Sequence, residues 1–217
     1  MAQMVLGIDL GSHSVKVARL EVGMRKVEVA HLQTLPVPSG PEPQLTRSLD
    51  ALQGLELPDS GVDLITIGLP GDKVLQRLFK IPVTDARRLA AMVENELADD
   101  IPWDIDDVLF DHAMAPQVPG HVLVVATRSE TVGEVIQACE ALEMTPRNIP
   151  PAPLSYGPLL QHGDAEGVTL VADIGHRLTN LCLISEGKPV TARTISRGGF
   201  HLTDAIRRAF QISFDEA

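Results

Sequence analysis

The chain has 217 residues, 44% of them apolar and 22% charged, with a net charge of −11 at neutral pH. That length suffices for one large or two modest globular cores. The acidic balance and an aromatic content of only 3% argue against a nucleic-acid surface, which needs basic patches and stacking platforms.

Residues 4–10, 14–22 and 25–34 read as three strands joined by tight turns, the second marked by Gly23. A proline-rich loop from Leu35 to Pro43 follows. Residues 44–53 read as a short helix and 62–69 as a buried strand ended by Pro70 and Gly71, giving a β-β-β-α-β order. Lys73 to Ile81 reads as another strand. Thr84 is placed to cap a helix running to Ala98, with Leu89, Val93 and Leu97 on one stripe. The acidic run that follows (Glu94, Glu96, Asp99, Asp100, Asp104, Asp106, Asp107) reads as a solvated rim or a metal site.

Residues 107–114 and 121–127 read as strands, and Ser129 caps a helix with Val132, Val135, Ile136, Cys139 and Leu142 on one face. Residues 82–145 therefore look like a compact α+β insertion. Thr145 to Ile149 reads as a short strand, and Pro150 to Leu160 as a short helix opened by prolines. A polar linker from His162 to Gly167 marks the best domain boundary. Strands at 168–174, 178–185 and 189–196 follow, then Gly198-Gly199 and a helix over 201–210, with Leu202, Ile206, Ala209 and Phe210 on its apolar face. Gly198-Gly199 reads either as a plain turn or as a helix start that favours an anion. The end of the chain carries no stop signal, so a longer protein is expected.

One pattern occurs twice. Near the start it is Asp9-Leu-Gly11-Ser12-His13-Ser14 between two apolar strands; near the end it is Asp173-Ile-Gly175-His176-Arg177-Leu178-Thr179 between two more. Their separation far exceeds the roughly 20–50-residue period of a solenoid, so the repeat marks two similar halves. A glycine at such a turn lets another group approach the backbone, and turn amides with hydroxyls such as Ser12 and Ser14 hold phosphate oxygens. Asp9 and Asp173 repel phosphate but suit a hydrated Mg²⁺ ion that bridges to it. Two such turns facing each other would clamp a polyphosphate. Lys16 alternates with Val15 and Val17 and either reaches phosphate or faces solvent. Each copy read alone is also consistent with a plain β-hairpin.

Cys139 and Cys182 are the only cysteines, both inside apolar patterns, and read as core residues in a reducing compartment, with a disulfide between them as the lesser alternative. No Cys/His spacing suggests zinc. No apolar run approaches the roughly 18 residues of a membrane-spanning helix. The start lacks a basic stretch and meets Asp9 too soon for a secretion signal, so a cytoplasmic location is expected.

The two phosphate-loop motifs in this layout resemble the actin-like superfamily of sugar kinases, Hsp70 chaperones and FtsA. Four stretches, LGIDLGSHSVKVARLE, ENELADDIPWDIDDVLFDH, VLVVATRSETVGEVIQACEALEMTP and ARTISRGGFHLTDAIRRAFQISFDEA, narrow the resemblance to the PilM family of type IV pilus assembly and the related cytoplasmic half of GspL from type II secretion. The resemblance implies an α/β, actin-like (ribonuclease H-like) fold of duplicated lobes. The first lobe would be 1–81 and 146–164, the inserted subdomain 82–145, and an incomplete second lobe 165–217.

It also implies a scaffold, cytoplasmic and peripheral to the inner membrane. Such a scaffold holds the N-terminal tail of a PilN-like membrane protein in a groove of the first lobe and meets the motor or secretion ATPase. That groove is expected between strand 62–69 and the insertion helix, near Leu89, Val93 and Trp103. ATP and Mg²⁺ are the implied ligands: Asp9 and Asp173 would position the metal through water, while Gly11, Ser12, His13, Ser14, Lys16, Gly175, His176 and Thr179 would line the phosphates. Two rivals stand beside the scaffold: an ATP-dependent phosphotransferase or ATPase of the same fold, and an unrelated β-rich binding domain. Three features weigh against the first. His176 and Arg177 are bulky for a second phosphate loop, no base stands out for activating a nucleophile, and the adenosine-binding glycines of such enzymes would fall beyond residue 217. The repeated β-β-β-α order weighs against the second.

Overall fold

The computed structural model describes residues 2–57, 61–81, 88–115, 117–157 and 167–217. Thr84, residues 158–160 of the proline-opened helix and most of the 162–167 linker lie outside the described residues.

Strands β1 (Gln3–Asp9), β2 (Ser14–Val22) and β3 (Val27–Pro36) form an antiparallel meander, and β4 (Leu64–Gly68) adds parallel to β1, giving the order β3-β2-β1-β4. Between β3 and β4 runs helix α1 (Gln44–Asp50), continued by a 3₁₀ turn over Ala51–Gly54. Alternation places Leu6, Ile8, Val15, Val17, Ile65 and Ile67 on the face covered by Leu45, Leu49 and Leu52, all buried. Burying each such side chain contributes about 1.5–3 kcal/mol.

A second sheet, ordered β5-β7-β6, comprises β5 (Leu75–Lys80), β6 (Val108–Met114) and β7 (His121–Arg128). Helix α2 (Leu89–Asp100) closes it with the expected Leu89, Val93 and Leu97 stripe, packed on Ile81, Val108, Val122, Val124 and Ala126. The inserted unit thus begins with β5, ahead of the expected residue 82. Helix α3 (Ser129–Glu140), expected inside the insertion, sends Val135 and Cys139 into the first core instead. The predicted strand at 145–149 contributes a single parallel bridge, Thr66 to Asn148, and the described part of the helix after Pro150 is a 3₁₀ turn over Ala152–Leu154.

The third sheet, β10-β9-β8, contains β8 (Val168–Ile174), β9 (Thr179–Ser185) and β10 (Lys188–Ile195), followed by α4 (Gly199–Phe210). Its β-β-β-α order repeats that of the first lobe. The apolar stripe on α4 faces outward: Leu202 and Phe210 are exposed. Both cysteines are buried and unpaired. Among the described residues no three acidic, His or Cys side chains form a metal-ligand group. The acidic run after α2 is a rim, with Asp100 paired to Arg77 and Asp104 accepting from the Asp106 amide.

Candidate functional site

Both Asp-x-Gly turns open into one cleft of about 500 Å³. In the first, the Gly11 amide donates to the Asp9 carbonyl at 3.0 Å. A side chain on Gly11 would bring its Cβ within 2.5 Å of the Ser14 carbonyl oxygen, so only glycine fits the turn. In the second, the Gly175 amide donates to the Leu178 carbonyl at 2.9 Å.

A helix buttresses each turn. From α1, the buried Ser48 hydroxyl donates to the Gly11 carbonyl at 3.0 Å and the Gln44 amide donates to the Ser12 carbonyl at 3.1 Å. From α4, the backbone amides of Gly199 and Phe200 donate to the carbonyls of Gly175 and His176 at 3.0 and 2.8 Å. His201 Nδ1 accepts from the Gly198 amide at 3.1 Å. The start of α4 is therefore already occupied by the loop and offers no open anion site. The loop carbonyls are taken up by the helices, whereas the amides of Ser12, His13, His176 and Arg177 have no hydrogen-bond acceptor among the described residues. Turn amides of this kind are the donors an anion uses.

The turns face each other. The rings of His13 and His176 stand 4.9 Å apart across the cleft. Asp9 and Lys16 are cross-strand partners and form an exposed ion pair at 3.5 Å. Asp173 and Asn180 are the corresponding partners in the second lobe, also 3.5 Å apart, and each pair is separated by seven positions in sequence. The Tyr156 hydroxyl donates to Asp173 Oδ2 at 2.7 Å. Burial first, and then Asp173, push the Tyr156 proton affinity well above its ordinary range, and the charge of Asp9 acts in the same direction. One tyrosine thus senses both carboxylates. Burial chiefly, then the neighbouring His13, Arg177 and His201, lower the His176 pKa.

Of the expected residues, Asp9, Gly11, Ser12, His13, Ser14, Lys16, Asp173, Gly175 and His176 all line the cleft. Thr179 does not; its hydroxyl donates to the Arg197 carbonyl at 2.8 Å. Arg177 lies over the Phe200 ring, 4.2 Å from its centroid. Leu89 and Val93 are buried in the inserted core and offer no surface to a partner, a correction to their expected place in a groove; Trp103 is half-buried at the edge of that core. Gln44, Ser48, Asp72, Lys73 and Asn180 line the cleft without having been singled out in sequence, and Tyr156 reaches Asp173 from the segment that follows α3. Asn180 alone carried a signal, the spacing it shares with Lys16.

The donor set fits a hydrated Mg²⁺ ion with a polyphosphate. The carboxylates supply hard oxygen ligands, too few for direct coordination but suited to an ion that keeps its waters. Lys16 and the turn amides would supply the donors to a phosphate chain.

A family model described as type IV pilus assembly protein PilM matches residues 7–217. Among solved structures, a PilM–PilN type IV pilus biogenesis complex superposes with a TM-score of 0.81 at 23% identity, covering 97% of this chain and 66% of that one. The cytoplasmic domain of EpsL, an inner-membrane component of the Vibrio cholerae type II secretion system, superposes at 0.62 with 16% identity, covering 89% and 71% respectively. A Bacteroides thetaiotaomicron protein with an actin-like ATPase fold superposes at 0.51 with 8% identity, covering 97% and 78%. The fold is therefore actin-like, as its duplicated turns imply, and the chain spans 66% of the length of the first of these structures.

Proposed function

This chain belongs to the PilM family of type IV pilus assembly proteins, and from that premise we propose that it is a scaffold that holds the N-terminal tail of a PilN-like membrane protein at the cytoplasmic face of the inner membrane. The observation that carries this reading is the family match over residues 7–217. The fold supplies a surface for it. An apolar groove of about 240 Å³, lined by residues that include Leu69, Val74, Leu109, Phe110, Val132 and Ile149, runs where the inserted sheet meets the end of β4. β6 is the outermost strand of that sheet, and an extended tail can pair with such an edge while its alternate side chains enter the groove. We place the tail here rather than at Leu89 and Val93, which are buried in the inserted core. Contact with the motor ATPase belongs to the same proposal.

The cleft supports Mg²⁺-ATP as a ligand held in place. Asp9, Asp72 and Asp173 line it; Asp9 is engaged by Lys16 and Asp173 by Tyr156, which favours holding over turnover. The bound ion would neutralise phosphate charge, while Lys16 and the turn amides orient the chain of phosphates.

Calorimetric titration with the tail peptide of the PilN-like protein tests the scaffold reading. Saturable binding is expected, weakened about tenfold or more by Leu109→Asp, a loss of roughly 1.4 kcal/mol. Leu109 is 48% exposed, so the substitution leaves the core intact. Absence of binding, or binding indifferent to Leu109, would overturn the reading.

A further inference from the structure

A larger groove lies on the far side of Asp72 and Lys73 from the cleft. It measures about 1110 Å³ and runs between β5 with Trp103 on one side and the β8–β10 sheet on the other. Lys73, Arg77, Arg128 and Arg193 line it against a single carboxylate, Asp72. The whole chain has the opposite balance, with 18 lysines and arginines against 29 aspartates and glutamates, so the cations are concentrated here. Arg77 pairs with Asp100 at 2.5 Å and Arg128 with Glu130 at 2.6 Å. Both are exposed pairs, of the kind that contributes little and readily exchanges partners. Lys73 and Arg193 have no ion-pair partner among the described residues.

The floor is apolar. Leu170 and Leu183 are cross-strand partners, as are Leu181 and Arg193, and Leu170 is exposed. Gln76 Oε1 is buried beside this wall with no hydrogen-bond partner among the described residues. β5 and β10, which flank the groove, are the outermost strands of their sheets.

We infer that this groove docks an acidic segment of a partner polypeptide, its apolar residues lying on Leu181, Leu183 and Trp103 and its carboxylates meeting Lys73, Arg77 and Arg193. The leucine floor favours a peptide over a nucleic acid, which would satisfy the cations and leave that floor uncovered. This surface is distinct from the groove beside β6, so the present inference and the tail-binding proposal fail separately.

Trp103 is the only tryptophan, so its fluorescence reports occupancy. The probes are a short peptide of alternating glutamate and leucine, its lysine counterpart, and a single-stranded oligonucleotide of matched charge. The glutamate peptide should bind saturably, more weakly as salt rises. Arg77→Glu combined with Arg193→Glu, checked by circular dichroism, should weaken it at least about tenfold and give the lysine peptide measurable affinity. If the double reversal does not fold, Arg193→Gln at its exposed position supplies the reading, with a loss of about threefold. Tighter binding by the lysine peptide or the oligonucleotide to the unaltered protein, or undiminished affinity in the folded variants, would overturn the inference.

Discussion

The Tyr156 hydroxyl donates to Asp173 Oδ2 across 2.7 Å, tying the segment that follows α3 to the second Asp-x-Gly turn. Replacing Tyr156 with Phe removes this bond and should lower stability by about 1 kcal/mol in urea unfolding, with an unchanged denaturant slope.

The same pair sets an alkaline limb. In the unfolded chain the phenol ionises near its ordinary value of 10.0, whereas burial and then Asp173 hold its proton to higher pH in the fold. Tyr156 therefore contributes stability that is complete below pH 10.0 and drains away as pH rises through its folded pKa. Because the chain has one tyrosine, its ultraviolet absorbance gives the titration directly. Tyrosinate should form at higher pH in the folded protein than in urea, and Tyr156→Phe should flatten this part of the alkaline loss.

His176 works in the opposite direction. Its pKa lies below the ordinary 6.5, chiefly through burial and then through His13, Arg177 and His201. Its contribution to stability is present above pH 6.5 and is lost as pH falls through the folded value. His176→Gln should remove that acid slope from chemical-denaturation curves. A bound polyphosphate favours the imidazolium, so phosphate affinity should rise as pH falls across the range in which the free protein loses stability.

Gly198 sits where no side chain fits. A Cβ there would lie 2.4 Å from the Gly175 carbonyl oxygen and 2.6 Å from that of His176. Its backbone is extended, so close approach of the turn, rather than an unusual φ, demands glycine. Gly198→Ala should push α4 off the second turn, lower stability by about 1–3 kcal/mol, and weaken polyphosphate binding more than it weakens tail-peptide binding. Thermal melts and paired titrations would separate the two effects.

The buried thiols offer a check on both cores. Burial pushes Cys139 and Cys182 up from 9.0 to about 11. At pH 8 each should react with a thiol reagent far more slowly than in the unfolded chain, because thiolate is the reactive form. Fast labelling of Cys139 would contradict the packing of α3 into the first core.

The turns that carry the site were legible because their signals are local. Asp9 and Gly11, like Asp173 and Gly175, sit between alternating apolar strands, and the doubling told that the two turns belong together. The β-β-β-α order of each lobe followed from the same alternation. What escaped depends on contacts distant in sequence. Tyr156 meets Asp173, and Ser48 meets Gly11, only after the chain has folded back. The family resemblance implied Thr179 as a phosphate-lining residue, but strand alternation sends its hydroxyl to Arg197 and leaves Asn180 in the cleft. Leu89 and Val93 were visible as a helical stripe, and such a stripe marks a buried core face. The ownership of α3 escaped for a related reason: Val135 and Cys139 show an apolar face without showing which sheet covers it.

The most direct test of the account is ATP turnover by the purified protein with Mg²⁺, measured beside equilibrium binding of the same nucleotide. Saturable binding that Asp173→Asn weakens, with turnover far below about 1 s⁻¹, is the result a holding cleft predicts. Sustained turnover at about 1 s⁻¹ or faster, abolished by Asp9→Ala, would make the chain an enzyme and contradict the scaffold.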